Sequence, residues 1–257
     1  WAHEFVTKEL GLKIDYVTVF GGAERSGRAI SPDEESERIW RELDPALDVH
    51  LKAMDENFWG PTGTEGPCGP TTEIYVGGVE IWNIVFNEFF YTGTREELLS
   101  GAVDKALKPL KTPGVDTGMG LERLAMIVQN KNNIFDTDLF APLLVLLPSG
   151  VKERHQRITA DHLRAISFLL ADGVRPSNKE AGYILRRLLR RVLVYGKIYN
   201  FDDAIFTEII GKTVEDYGIF YPELERERKN LFAEFDKEKE KFGKTLERGI
   251  KQLGSLQ

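Results

Sequence analysis

The stretch TTEIYVGGVEIWNIVFNEFF, positions 71–90, decides the fold class of the first half of this chain. β-branched and aromatic residues dominate both ends of the stretch, and Gly77-Gly78 lies between them. Two glycines between two such runs are typical of a tight β-hairpin. We therefore predict two antiparallel strands, over 71–76 and 79–90.

The second of these strands has two chemically different faces. Alternation along a strand puts Ile81, Asn83, Val85 and Asn87 on one face. The opposite face holds Trp82, Ile84, Phe86 and Phe90, with Glu88 as its one charge. The apolar face predicts packing against other elements. The face with two asparagines is predicted to line a cavity, the alternative being a half-exposed sheet face.

Upstream of the hairpin, residues 58–70 hold four glycines and three prolines in thirteen positions. This composition predicts a structured loop, because proline and glycine disfavour helices and central strands. The other predicted elements are a helix over 1–11, a strand over 16–20, a polar loop over 21–32, and a helix with Ser31 as N-cap and Pro32 at N1.

Downstream, a polar connection over 91–110 leads to VDTGMGLERLAMIVQ at 115–129. That string predicts a strand end, a glycine turn and a helix from about Met119. Gly118 and Gly120 allow the backbone to approach a ligand closely. Arg123 falls in the first turn of the helix.

From position 157 onward the pattern becomes helical, with helices over 157–172, 182–195 and 222–253. At about 100° per residue, four arginines cover an arc of roughly 140° on the second of these helices: Arg186, Arg187, Arg190 and Arg191. Leucine and valine fill its opposite side. A face that contacts phosphates is the preferred interpretation, and an ordinary solvated face is the alternative.

Charge is distributed unevenly over the 257 residues, whose net charge is −7. Residues 1–150 carry 13 Lys+Arg against 24 Asp+Glu, a net −11, whereas residues 151–200 carry 11 against 4, a net +7. A basic island in an acidic chain favours a local polyanion site. The single cysteine, Cys68, excludes an internal disulfide framework and a Cys-cluster zinc site.

No apolar run approaches the roughly 20 residues that span a bilayer, and the start lacks the pattern of a signal peptide. We therefore expect a cytoplasmic protein without membrane partners. The chain opens at Trp1 in what reads as the middle of a helix, so we expect a fragment of a longer protein.

Four motifs resemble those of alanyl-tRNA synthetases, class II enzymes, with loop lengths nearest the bacterial form. They are NFWGPTGTEGPCGPTTEIY at 57–75, EIWNIVF at 80–86, VDTGMGLER at 115–123, which resembles motif 3, and ADHLR with DGVRPSNKEAGYILRR at 160–164 and 172–187. The resemblance implies an α+β fold: a partial class II antiparallel sheet with flanking helices over 1–150, then an all-α tRNA-recognition domain over 151–257.

The resemblance also implies an activity, the ATP-dependent activation of alanine and its transfer to the 3′ end of tRNA(Ala). It assigns alanine binding to Trp59, Asn83, Val85, Asp116 and Gly118, and ATP binding to Trp59, Gly118, Gly120 and Arg123. Asp116 would hold the alanine ammonium, and Asp116, Asn83 and Arg123 would be the catalytic residues. Asn178 would read the acceptor stem, while Arg186, Arg187, Arg190 and Arg191 would contact phosphates, one or two of them pairing internally instead.

The expected cofactors are ATP and Mg²⁺, and no zinc is expected. Glu80 is the candidate ligand for Mg²⁺ bound with ATP, by analogy with other class II enzymes. On an ideal strand Glu80 and Asn83 point to opposite faces, so this role requires a β-bulge nearby. Glu73 is the less favoured substitute.

Departures from the family pattern limit these expectations. Motif 1, and motif 2 with its arginine for the ATP α-phosphate, have no match in these residues, and the family's second cysteine in the 66–71 loop is Thr71 here. We therefore expect little adenylation by this chain alone and allow for a companion chain that carries both motifs. The alternatives are a non-catalytic module that binds the tRNA(Ala) acceptor stem, and a relative that uses another acceptor.

Overall fold

A computed structural model of the protein describes residues 1–25, 28–101 and 105–254. The chain divides into two compact units, Trp1–Ile134 and Phe135–Gln257. The first combines a sheet with flanking helices, and the second consists of helices, so the predicted α+β class is confirmed.

A six-stranded sheet organises the first unit, with strand order β4-β1-β6-β7-β8 and β5 paired to β6. β1 and β4 run parallel, and the other pairs are antiparallel. A separate hairpin joins β2 to β3. The strands are β1 (Tyr16–Phe20), β2 (Ala23–Arg25), β3 (Arg28–Ile30), β4 (Asp48–Lys52), β5 (Phe58–Trp59), β6 (Gly66–Val76), β7 (Val79–Tyr91) and β8 (Leu107–Met119).

The β6–β7 hairpin is confirmed at its predicted turn. Gly77 and Gly78 have φ values of 61° and 73°, the left-handed pair that a two-residue turn needs in order to match strand twist. The predicted strand over 16–20 is also confirmed, as β1.

Two apolar clusters anchor the elements around this sheet. One contains Val6, Ile14, Val17, Val19, Trp40, Leu47, Val49, Ile74, Val76 and Ile81. The other contains Phe20, Met54, Phe58, Cys68, Tyr91 and Leu98. The helices of this unit are α1 (Ala2–Glu4), which continues as a π-helical turn over Phe5–Glu9, then α2 (Glu34–Leu43), α3 (Met54–Asn57), α4 (Arg95–Ser100) and α5 (Leu121–Val128).

The loop predicted over 58–70 is wrong at both ends, because residues 58–59 form β5 and residues 66–70 form the start of β6. A register shift between Cys68 and Thr71 accommodates Pro70, because a bulge relaxes the demand for ladder hydrogen bonds. Gly69 allows the close approach of β7, since a Cβ at this position would stand 1.8 Å from the Phe86 carbonyl oxygen.

Other local predictions also needed correction. The polar loop over 21–32 contains the short β2–β3 hairpin. The N-cap of α2 is Asp33 rather than Ser31, and its carboxylate accepts from the Ser36 amide at 3.0 Å. The connection over 91–110 contains α4 and the start of β8, and the helix after the glycine turn begins at Leu121 rather than Met119.

In the second unit the described residues form six α-helices: α6 (Ala141–Leu144), α7 (Glu153–Ala171), α8 (Glu180–Ile198), α9 (Asp203–Tyr217), α10 (Pro222–Arg226) and α11 (Arg228–Gly254). The one long helix predicted over 222–253 is wrong, since it is interrupted at Glu227 between α10 and α11. Buried aliphatic side chains of α7, α8 and α9 form the core: Leu163, Ile166, Leu170, Leu185, Leu189, Val192, Ile209 and Ile210.

Candidate functional site

The register of three strands assembles the candidate site in the first unit. Asn83 of β7 lies opposite Gly118 of β8, and Val85 lies opposite Asp116. Residues that are directly opposite share a face, as do residues two apart on one strand. The sheet thus brings together four residues that the sequence interpretation assigned to alanine binding.

A β-bulge determines which face Glu80 occupies. Between β6 and β7 the register shifts, so that Trp82 pairs with Ile74 but Glu80 pairs with Tyr75. The extra residue is Ile81, whose side chain is buried in the apolar cluster. The prediction that Ile81 shares a face with Asn83 is therefore wrong. The β-bulge that is required for Glu80 to lie on the Asn83 face is present.

Arg123 lies beside Glu80 at the start of α5. Its Nη1 donates to the Glu80 carboxylate and to the Glu80 carbonyl oxygen, each at 3.0 Å. Because both side chains are partly exposed, this ion pair contributes at most about 1 kcal/mol. Arg123 is thus held beside the face by a partner that an anionic ligand can replace.

Glu73 of β6 supplies a second carboxylate to the same face, opposite Asn83. It is 8% exposed and accepts hydrogen bonds from the Tyr75 hydroxyl at 2.9 Å and from Thr18 at 3.3 Å. Burial raises the pKa of Glu73, and the charge of Glu80 raises it further. The two carboxylates are therefore electrostatically coupled.

Asn57 hydrogen-bonds to residues of β1 and β6 beside this face, and the sequence predicted no role for it. It is fully buried, and its Nδ2 donates to the Thr18 hydroxyl at 2.8 Å and to the Thr71 carbonyl at 3.2 Å. In the sequence, Asn57 is visible only as a polar residue at the end of a short helix, before a buried strand pair. That position does not predict that the side chain is buried.

Two asparagine side chains of β7 carry buried oxygens. Within the part of the chain that the structure describes, the Oδ1 atoms of Asn83 and Asn87 are buried and accept no hydrogen bond. Buried acceptors normally find a donor, so each can accept from a bound ligand that reaches it. Across the strand pair, the exposed Asp116 carboxylate uses Oδ1 to accept from the Thr117 amide at 2.8 Å.

Space at the site is preserved by Gly118. A Cβ built at Gly118 meets no atom within 4 Å. Gly120, the N-cap of α5, is different, because a Cβ there would lie 3.3 Å from the Arg123 side chain. Gly118 thus leaves open volume beside Asn83, and Gly120 allows Arg123 to lie close to the turn.

Trp59 lies on β5, which pairs with β6 through Phe58–Pro70 and Trp59–Gly69. Among the described residues its indole makes no hydrogen bond or ring contact, and it lines a cavity of about 320 Å³ with residues 60–63. The structure therefore does not join Trp59 to the β7–β8 pairs by a direct contact.

A cavity of about 530 Å³ is at the opposite end of β7, against Phe20, Phe89 and Leu98. It contains none of the predicted site residues. We locate the candidate site by the register and chemistry of its side chains rather than by cavity size.

On α8 of the second unit, the predicted division of faces is confirmed, with Leu185, Leu189 and Val192 buried and Arg187 and Arg191 exposed. The four arginines have different surroundings. Arg190 pairs with Glu238 at 3.2 Å, so one arginine makes an internal pair as expected. Glu238 is 5% exposed, so this contact is structural.

The other three arginines lie in polar or aromatic surroundings. Arg191 contacts His162 at 3.3 Å. Arg186 and Arg187 both lie over the Tyr183 ring, with centroid distances of 5.9 Å and 5.6 Å. Of these three, Arg187 and Arg191 are exposed.

Asn178 lies in the exposed turn before α8, and its Oδ1 accepts from Arg186. The turn packs against the helix, because a Cβ on Gly182 would stand 2.5 Å from the Arg175 carbonyl oxygen. The Ser177 amide donates to the Gly182 carbonyl at 3.0 Å. This close packing holds Asn178 at the helix start.

Comparison with known proteins identifies the family. A family model described as tRNA synthetases class II (A) matches residues 1–256. The chain belongs to this family. It is also similar to proteins named alanine–tRNA ligase: 35% identical to that of Endomicrobium trichonymphae, 37% to that of Methylococcus capsulatus and 36% to that of Schizosaccharomyces pombe.

These alignments cover 98 to 100% of this class II synthetase chain but 29 to 30% of each relative. The chain thus spans under a third of the length of the curated relatives it matches. Its identity to the fission-yeast protein, 36%, lies between its identities to the two bacterial ones, so identity alone does not indicate a bacterial form.

Class II synthetases in general use ATP and Mg²⁺. The carboxylates of Glu73 and Glu80 are the hard oxygen ligands that Mg²⁺ prefers, and one or two such groups plus phosphate oxygens make up its usual shell. Within the described residues no group of three His, Cys, Asp or Glu side chains is placed to hold a metal. In that same part of the chain, no helix combines the length and apolar composition needed to cross a membrane.

Proposed function

We propose that this synthetase chain carries the alanine- and ATP-binding part of an alanine–tRNA ligase within residues 1–150 and a helical region for the tRNA(Ala) acceptor stem within 151–257. The observation that carries the first half is the register of β7 and β8, which aligns Asn83 with Gly118 and Val85 with Asp116. Similarity to alanine–tRNA ligases over nearly the whole chain supports the choice of alanine.

Catalysis in this reaction rests on positioning and charge. The alanine carboxylate attacks the α-phosphate of ATP and pyrophosphate leaves. A hydroxyl of the terminal ribose of the tRNA then attacks the carbonyl of the alanyl-adenylate, and AMP leaves. Asp116 fixes the alanine ammonium as its counter-ion, and the unpartnered Asn83 Oδ1 accepts from the same group. Val85 and Gly118 shape a pocket for a small side chain.

Arg123 exchanges Glu80 for the triphosphate, which its guanidinium suits by charge and planarity. Glu80, with Glu73 as the second carboxylate, would hold Mg²⁺, which neutralises phosphate charge when bound. We place Trp59 and Gly120 at the nucleotide, by resemblance. The expected cofactors are thus ATP and Mg²⁺, in a cytoplasmic enzyme whose loop lengths resemble the bacterial form.

The test of the alanine and ATP site is calorimetric binding of a sulfamoyl analogue of alanyl-adenylate to the 257-residue chain. We expect binding by the wild type and a loss of about 100-fold in Asp116→Asn, because a charge-assisted contact is lost. Glu9→Gln, which neutralises an exposed carboxylate at the end of the π-helical turn over Phe5–Glu9, is the control. Equal affinity in all three proteins would contradict the assignment.

A second measurement concerns turnover. The motif 2 arginine that the resemblance assigns to the α-phosphate has no match in these residues, so we expect this chain alone to catalyse little ATP–pyrophosphate exchange. Robust alanine-dependent exchange would show that expectation to be wrong. Restored exchange on adding a companion chain with motifs 1 and 2 would support a divided enzyme.

The tRNA half is tested by the salt dependence of binding to tRNA(Ala). Each lost phosphate contact should lower the slope of log K against log salt by about one or slightly less. We therefore expect Arg187→Glu to reduce the slope, and the exposed Lys237→Glu on α11 to serve as control. An unchanged slope would leave this face as solvated surface.

Base reading is tested separately with Asn178→Ala. The resemblance implies that a G·U pair in the acceptor stem identifies tRNA(Ala). The substitution should weaken discrimination of this pair more than overall affinity, because the Asn178 amide is the group that can donate to a base edge. Equal losses for cognate and non-cognate tRNA would contradict that role. Binding of tRNA without binding of the adenylate analogue would favour the non-catalytic acceptor-stem module.

A further inference from the structure

Arg95, at the start of α4, hydrogen-bonds to the backbone on both sides of Trp59. Its Nη1 donates to the Phe58 carbonyl at 2.7 Å and to the Gly60 carbonyl at 3.3 Å. Its Nη2 donates to the Asp55 carbonyl at 3.2 Å. We propose that Arg95 is a positioning residue that fixes the backbone conformation of 55–60 and thereby the direction of the Trp59 indole.

The other contacts of this segment act on the residues beside the Trp59 indole. β5 is two residues long and pairs with β6 through Phe58–Pro70 and Trp59–Gly69. Asn57 is buried and donates to Thr18, and Phe58 is buried against Phe20 at a ring distance of 5.3 Å. Arg95 adds side-chain hydrogen bonds to the two carbonyls that flank Trp59.

Arg95 is itself held in place by the short helix α4. Thr94 and Glu97 form a capping box, and Glu97 also accepts from Lys105 at 2.6 Å. Leu98, one turn after the cap, is buried in the same apolar cluster as Phe58. The guanidinium thus projects from a backbone fixed on two sides, which favours a defined contact over a mobile surface charge.

The chemistry of the contact explains the residue type. A guanidinium presents five N–H donors in a rigid plane, so one side chain can serve three carbonyl oxygens. A lysine ammonium has rotatable donors on a flexible stem and cannot reproduce that arrangement. Arg95→Lys keeps the charge and most of the length, and so isolates the geometry.

This inference rests on the proposed function in one respect, namely that Trp59 contacts a ligand. The test uses the full 257-residue chain labelled with 5-fluorotryptophan, whose four indoles are Trp1, Trp40, Trp59 and Trp82. The ¹⁹F signal of Trp59 is assigned by its absence in Trp59→Phe. The matched control is Arg38→Lys, an exposed helix-surface arginine paired with Glu42 at 2.8 Å.

We expect Arg95→Lys to shift or broaden the Trp59 signal and to leave the Trp40 signal in place. Affinity for the sulfamoyl alanyl-adenylate analogue should fall about five- to tenfold, as for one lost hydrogen bond at a binding surface. The affinity of Arg95→Ala should be lower still, and Arg38→Lys should change neither the Trp59 signal nor the affinity. Retention of the Trp40 signal and of the melting temperature separates the effect from unfolding.

An unchanged Trp59 signal in both Arg95 variants would overturn the inference. So would a shifted signal with unchanged affinity in a chain whose wild type binds the analogue. If the wild type does not bind it, the proposed function fails, and the ¹⁹F signal alone decides whether Arg95 positions Trp59.

Discussion

Gly118→Ala separates the candidate site from the fold that carries it. Gly118 lies in extended β8, outside the left-handed region, and a Cβ there meets no atom within 4 Å. The folded protein should therefore accept the methyl group, with a free energy of unfolding changed by less than about 1 kcal/mol and in the stabilising direction. The added group projects on the face shared with Asn83, into the space we assign to the ligand.

Binding should respond differently from stability. An extra methyl group in a filled site costs about 1–3 kcal/mol, which corresponds to a loss of affinity of about 5- to 150-fold. The assay pairs calorimetry with the alanyl-adenylate analogue and urea unfolding of the same preparations. The reasoning predicts weaker binding in a protein of equal or greater stability.

The chain offers a matched control four residues away. Gly114 lies on the same strand, opposite Asn87, is likewise exposed, and has no atom within 4 Å of an added Cβ. Gly114→Ala should change neither binding nor stability appreciably. Wild-type affinity in Gly118→Ala, or equal losses in both variants, would refute the placement of the ligand beside Gly118.

Three further predictions concern stability. Gly69→Ala should cost more than about 3 kcal/mol of unfolding free energy in urea titrations, because its Cβ would stand 1.8 Å from the Phe86 carbonyl oxygen. Arg190→Met should cost about 2 kcal/mol by the same method, because it leaves the buried Glu238 carboxylate without its partner. Burial raises the pKa of Glu73, so its folded form keeps a proton to higher pH than the unfolded chain. The contribution of Glu73 to the free energy of unfolding is therefore greatest below the unfolded pKa of about 4.3 and is lost as pH rises through the folded pKa. When the free energy of unfolding is measured over a pH series, its decrease with rising pH should be smaller in Glu73→Gln than in the wild type.

Each of the three has a comparison that can contradict it. Gly63→Ala should be nearly neutral, since its nearest neighbour stands at 3.7 Å, and a loss equal to that of Gly69→Ala would count against the close-approach argument. Arg187→Met, at an exposed position, should change stability by less than about 0.5 kcal/mol; a cost matching Arg190→Met would remove the special role of Glu238. Parallel pH curves for wild type and Glu73→Gln would show that Glu73 does not titrate differently on folding.

Local rules of sequence predicted the hairpin and the faces of α8 because both depend on residues close along the chain. Gly77-Gly78 defines the turn by backbone conformation alone, and the leucines of α8 recur at helical spacing. The start of β8 was missed for the converse reason. Pro109 and Pro113 argue against a strand, yet β8 pairs only with β7 within the described sheet, where an edge position tolerates proline.

Long-range partners account for the remaining differences. The Arg190–Glu238 pair joins residues 48 positions apart, and a helical wheel of α8 carries no information about α11. The hydrogen bonds of Arg95 likewise depend on α4, a helix within a segment expected to be a polar connection. From the sequence, Glu80 could be placed on the Asn83 face only on the condition that a bulge lies nearby. A bulge is a property of two paired strands, so one strand's sequence does not show it.

The bulge at Ile81 means that chain length, as much as residue identity, encodes this site. The one additional residue reverses the in–out phase of β7, so that Glu80 and Asn83, three positions apart, project to the same side. Deleting Ile81 would leave every site side chain in the sequence and yet send Glu80 into the apolar cluster. Among relatives, a one-residue gap between these two positions is thus a change of chemistry, even where both residues are retained.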